Sequence, residues 1–154
     1  MEIKNIENLA SQFICQDAVG LITKSLGDSC RSEKIYVNID SVPPGAFSTK
    51  YHSHSQQEEF FIILSGTGTL RLNDEEQIVK QGDYFAKPGA RNIAHTFYNS
   101  SEADLVILDI GTREPEDTCY YPDEDVYMQK ANGTRRIYHG SAFDKTWSSE
   151  PNAN

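Results

Sequence analysis

Residues 51–60 read YHSHSQQEEF, two imidazoles separated by one serine and followed by two carboxylates. Residues two apart on a strand share a face, so His52 and His54 point the same way. Two inward imidazoles without a cation would bury polar rings in need of partners, whereas a metal ion satisfies both nitrogens together. Glu59 follows five residues after His54, with Ser55, Gln56 and Gln57 free to turn the chain into the apolar run EFFIILSG. An inward Glu59 carries Phe61 and Ile63 to the same face as an apolar wall, and Glu58 is the neighbouring alternative carboxylate. His95, in AHTFYNS, shares its face with Phe97 and Asn99. His52, His54, Glu59 and His95 thus form a candidate ligand set for one divalent first-row transition metal. Glu59 doubles as a candidate catalytic proton carrier, and Phe61, Ile63, Phe97 and Asn99 are candidate substrate contacts. Lys50, two before His52, either shares the inward face and holds an acidic substrate group or extends to the mouth of the site.

The elements that must position these residues are short strands. EKIYVNIDSV, EFFIILSG, TLRLNDEEQIV, GDYFAKPG, AHTFYNS and DLVILDIG are apolar or alternating runs cut by turns every 8 to 15 residues. Regular short strands without intervening helical periods predict an antiparallel sandwich or barrel. The Pro43-Pro44-Gly45 stretch enforces one turn, and a hairpin is expected near Asn73-Asp74. Ile3, Ile6, Leu9, Ala10 and Phe13 recur at helical spacing, which predicts a short helix over residues 3 to 13. Residues from 113 onward are less regular and read as an extension wrapping the barrel, frayed from about Ser148. The acidic run Glu114 to Asp125 reads there as a solvated loop.

Composition narrows the function. The 154 residues carry a formal net charge of -9, which excludes a general binder of phosphate backbones. No apolar run approaches the roughly 20 residues of a membrane helix, and Glu2 in a polar N-terminal stretch does not suit a signal peptide, so a cytoplasmic location is expected. Cys15, Cys30 and Cys119 are odd in number and widely spaced, which predicts free thiols. His139 lies apart from the other histidines and reads as a surface residue.

The stretch GAFSTKYHSHSQQEEFFIILSG resembles the first motif of the cupins, with Gly45, His52, His54, Glu59 and Gly66 in place. GDYFAKPGARNIAHTFYN is similar to the second motif at Gly82, Pro88, His95 and Asn99, with seven positions from Pro88 to His95 where the family usually has five. The resemblance covers about residues 34 to 112. It implies an all-β, double-stranded β-helix barrel in a single domain, flanked by the N-terminal segment and the extension. It further implies a metal-dependent enzyme of oxygenase type on a small polar metabolite. Iron or manganese is the expected metal, with nickel, zinc, cobalt or copper compatible. A non-catalytic sugar or metabolite-binding module, or an isomerase or lyase on the same metal, are the alternatives. Small cupins resemble one another in pairing barrels, so a homodimer is expected.

Overall fold

A computed structural model of the chain describes residues 2–142; the expected frayed end from Ser148 lies outside the described residues. Thirteen strands account for most of the described chain. β1 (Gln12–Gln16) and β2 (Val19–Ser25) form an N-terminal hairpin, followed by a four-residue helix at Leu26–Ser29 and by β3 (Ile35–Val42). β4 (Ser53–His54), β5 (Glu59–Ser65), β6 (Thr67–Leu72), β7 (Glu75–Lys80), β8 (Tyr84–Lys87) and β9 (His95–Tyr98) follow. β10 (Leu105–Thr112), β11 (Asp117–Tyr121), β12 (Val126–Ala131) and β13 (Thr134–His139) complete the set.

Three antiparallel sheets result, with strand orders β1-β2-β3-β10-β5-β8, β13-β12-β11-β4 and β7-β6-β9. The arrangement is the jelly-roll double-stranded β-helix that the cupin resemblance implies, one form of the antiparallel sandwich or barrel expected from the alternating runs. Strand alternation builds the core: Val42, Phe61, Ile63, Leu70, Phe97, Leu105 and Ile107 all point inward and pack as one cluster. The β6–β7 hairpin turns at Asn73 and Asp74, with φ of 53° and 66° and Leu72 paired to Glu75. Left-handed backbone at both central residues is the two-residue turn that matches strand twist.

Two expectations change. The N-terminal helix is a single 3-10 turn at Ile6–Asn8, and Phe13 and Ile14 lie on an exposed strand instead. Their apolar spacing fits either period, and pairing with β2, from Gln12 opposite Thr23 to Gln16 opposite Val19, selects the strand. The extension after residue 112 is also more regular than its composition suggested. It forms a three-stranded meander whose second hairpin turns at Asn132-Gly133, with φ of 50° and 71°. That meander pairs with β4 through Cys119 opposite His54 and Tyr120 opposite Ser53, so it closes the barrel over the histidines.

Candidate metal centre

The histidines converge because of backbone pairing. His52 and His95 sit directly opposite each other, exchanging N–H···O bonds of 3.2 and 2.9 Å, and their rings lie 5.0 Å apart inside the barrel. His54 lies two residues along, with its Nε2 3.2 Å from His52 Nε2 and 3.7 Å from Glu59 Oε1. His52, His54 and Glu59 are all buried, and each offers a ligand atom within 4.8 Å of the others.

Two hydrogen bonds fix the imidazole tautomers. His52 Nδ1 lies 2.8 Å from the Lys50 carbonyl, and His54 Nδ1 lies 2.6 Å from Asp117 Oδ2. Carbonyl and carboxylate oxygens only accept, so both Nδ1 atoms carry the proton and both Nε2 lone pairs face each other across 3.2 Å. Burial, then the neighbouring His54 and Lys87, pull His52 down to about 4, so the ring takes up no second proton at neutral pH. Two Nε2 atoms this close in a buried site can share one cation, and outer carboxylate or carbonyl partners on Nδ1 are what orient metal-bound histidines. The donor set fits a transition metal.

Asp117 was not singled out from the sequence. It begins β11, is buried, and accepts from His54 Nδ1, the Gln56 N–H at 2.9 Å and the Ser55 hydroxyl at 3.1 Å. Burial pushes its carboxyl up, but these donors outweigh it and hold the group well below the usual carboxylate range. The acidic run is therefore a solvated loop only in part. The alternation of Asp117, Cys119 and Tyr121 was the signal available. Cys119 Sγ lies 3.3 Å from His54 Nδ1, and burial, with Asp117 and Glu59 adding to it, pushes its thiol up to about 12. It is a packing thiol, not a nucleophile.

Lys87 was also missed. Tyr84 and Ala86 face outward on β8, so alternation turns Phe85 and Lys87 inward, and Lys87 is only 2% exposed. It sits across the β5–β8 pairing from Glu59, ion-paired to Glu59 Oε2, with its ammonium donating to His95 Nδ1 at 2.8 Å. Burial pulls Lys87 below its usual value against the opposing pull of Glu59. Burial likewise pushes Glu59 up, but Lys87 and His54 more than offset it and leave the carboxyl below its usual range. On the other side of Glu59, the Tyr36 hydroxyl lies 3.0 Å from both Glu59 Oε1 and Asp109 Oδ1. Burial, then Asp40 and Glu59, hold the Asp109 carboxyl well above the usual range, and the Tyr36 hydroxyl is placed to donate to Glu59. Gly111, facing Tyr36 on β10, makes this possible, because a Cβ there would overlap the Tyr36 ring.

The two Nε2 atoms open toward a cavity of about 510 Å³ at the barrel mouth. Its walls are Val19 and Leu21 of β2, Tyr121 of β11, Val126 and Met128 of β12, and Ile137 of β13. Lys50 stands at the rim, with Nζ 3.1 Å from Glu124 and 3.4 Å from Asp17. The remaining expected contacts lie elsewhere. Phe61, Ile63 and Phe97 fill the core beneath the site, and the Phe61 ring supports His95 at 4.9 Å. Asn99 is fully buried in a turn, its amide donating to the carbonyls of Val42 at 2.7 Å and Ala103 at 2.8 Å. Their inward direction follows from alternation, but the barrel is deep enough that inward is not the same as cavity-lining.

The Cupin domain family profile matches residues 38–111, the span that carries all four candidate donors. The chain belongs to the cupin superfamily. A candidate sugar phosphate isomerase from Acidithiobacillus ferrooxidans is similar to this cupin over 90% of both chains, with 27% identity and a TM-score of 0.86. A sugar phosphate isomerase from Silicibacter pomeroyi, 24% identical over 92% of this chain and 94% of its own, shares the fold with a TM-score of 0.83. Auxin-binding protein T92 of Nicotiana tabacum is 33% identical over 100 residues, 59% of this cupin. That match spans about half of the tobacco protein's length, 52%. Among the described residues no helix is long and apolar enough to cross a membrane.

Proposed function

We propose that this cupin is a metal-dependent enzyme of oxygenase type, holding iron or manganese on His52, His54 and Glu59 and acting on a small molecule in the adjoining cavity. The observation that supports the reading is the donor set. Two imidazole nitrogens and one carboxylate stand together, while Lys87 engages the third imidazole, His95. Two histidines and a carboxylate with open positions are the arrangement of non-haem iron oxygenases. A metal bound there supplies the redox chemistry that dioxygen insertion requires, and with both oxygen atoms entering the substrate no external reductant is needed. The chain's own residues do the rest. Asp117 and the Lys50 carbonyl aim the imidazoles. Lys87 balances the Glu59 charge, and mainly apolar side chains line the open face.

A second reading, an isomerase on the same metal, is favoured by the likeness to the Acidithiobacillus protein. In it Glu59, backed by Lys87 and Tyr36, takes and returns a substrate proton. One experiment separates the two. Iron-loaded protein is given a panel of oxo acids, diketones and sugars in deuterated water under labelled dioxygen. Incorporation of both labelled oxygen atoms is the expected result. Anaerobic turnover with deuterium entering a C–H position would replace the oxygenase with the isomerase.

A further inference from the structure

We propose that the molecule this cavity accepts is an oxygen-headed acid with a bulky aliphatic or aromatic body, and not a phosphorylated sugar. The inference deepens the metal-centred reading and rests on it. The cavity walls away from the histidines are mainly apolar: Val19, Leu21, Val126, Met128 and Ile137 dominate them, with Gln16, Ser48 and Thr49 as the uncharged polar minority. A sugar carries a hydroxyl on nearly every carbon, and each one set against such a wall loses water without gaining a partner. A phosphate needs unpaired Arg or Lys side chains or a cluster of backbone N–H groups.

The basic group that lines the mouth is already committed. Lys50 is the one Lys or Arg among the described lining residues, and it is held between Asp17 and Glu124, a trio with one net negative charge. Arg71 lies over the Tyr51 ring with its guanidinium bonded to Asp74 and Asp123, both at 2.7 Å. Arg135 acts on the Tyr121 hydroxyl electrostatically from the exposed β13 but does not line the cavity. A dianionic phosphate at this rim meets net negative charge. The inner end has the opposite character: the Lys87–Glu59 pair is neutral and imidazole ligates a metal in its neutral form, so a divalent metal leaves positive charge for one carboxylate or enolate. One anionic head inside and an apolar body toward the mouth satisfies both ends.

The test is calorimetric titration of the zinc-loaded full chain with α-ketoisocaproate, pyruvate and ribose 5-phosphate. The first two share a head and differ in body. α-Ketoisocaproate is expected to bind at least about tenfold more tightly than pyruvate, since each methylene in an apolar pocket is worth roughly that factor. Ribose 5-phosphate should bind more weakly than either acid. Met128→Gln should cost α-ketoisocaproate about fivefold or more while leaving pyruvate and zinc affinity within about twofold. Glu124→Gln, which releases Lys50, should improve ribose 5-phosphate alone. Equal affinity for the two oxo acids, tighter binding of ribose 5-phosphate, or no binding of either acid overturns the inference. Zinc supports no oxygenation, so the answer is independent of whether the iron-loaded protein consumes dioxygen. Failure to bind zinc would overturn this inference and the metal-centred reading together.

Discussion

Replacing Lys87 with methionine exchanges the one buried lysine or arginine among the described residues for an apolar chain of similar length. In the wild type that ammonium is ion-paired with Glu59 Oε2 and donates to His95 Nδ1 at 2.8 Å. Removing one partner of a buried pair costs about 3–5 kcal/mol, because the other charge is left without compensation. For a domain of this size 1 kcal/mol moves Tm by about 2–4 °C, so metal-free Lys87→Met should melt about 6–20 °C lower than the wild type. Metal should reverse the loss. A divalent ion on His52, His54 and Glu59 returns a cation to the carboxylate, and His95 Nδ1, released from the ammonium, becomes a fourth donor. The variant should therefore bind zinc or manganese at least about tenfold more tightly, and its metal-induced rise in Tm should exceed the wild type's by most of the original deficit. Thermal denaturation with and without metal, together with chelator competition, measures both quantities. A metal-free Tm within about 2 °C of wild type, or the same deficit with and without metal, would refute the idea that Lys87 and the metal compete for Glu59.

Other consequences can be checked separately. His54→Ala removes one donor and should weaken metal retention at least about tenfold in chelator competition, and Asp117→Asn, which loosens the His54 tautomer, should cost about 10–100-fold; the exposed His139→Ala should change neither. Burial raises the Asp40 carboxyl from 3.8 to about 6, against a small opposing effect of Thr23. The native state then binds the proton more tightly than the unfolded chain, so stability falls as pH rises from about 4 to 6. Asp40→Asn should remove that slope and add up to about 3 kcal/mol at pH 7 by urea unfolding, at about 1.4 kcal/mol per pKa unit. A homodimer is expected from the exposed Phe13 and Ile14 on β1, an edge strand of its sheet, and light scattering across a hundredfold dilution should report twice the monomer mass.

What the sequence made legible was whatever follows from strand alternation and turn chemistry. His52 and His54 share a face, Glu59 starts the next strand beside them, and Asn73-Asp74 turns the hairpin. The misses have physical causes. Lys87 looks like any lysine before a proline, and its burial depends on a partner 28 positions earlier, Glu59. Asp117 stands in an acidic run whose average character is solvated, yet strand parity turns this one carboxylate inward to His54, 63 residues away. The N-terminal periodicity failed for the opposite reason: Ile3 and Phe13 bury against nothing in the described chain, so no packing selects a helix over a strand. Phe61, Ile63, Phe97 and Asn99 show that facing inward and lining a cavity differ by the depth of the barrel.

The meander β11–β13 has an evolutionary consequence. His52, His54, Glu59 and His95 all lie within residues 38–111, while Val126, Met128 and Ile137 of the cavity wall come from the segment after it and Val19 and Leu21 from the segment before. The part that holds the ion and the parts that judge the guest are thus encoded in separate stretches of the gene. Substitutions in the flanks can retune which molecule is admitted without disturbing the donors. Asp117, accepting from His54 Nδ1, ties the two together, so a lineage exchanging its flanking strands must keep an acceptor oxygen at that place.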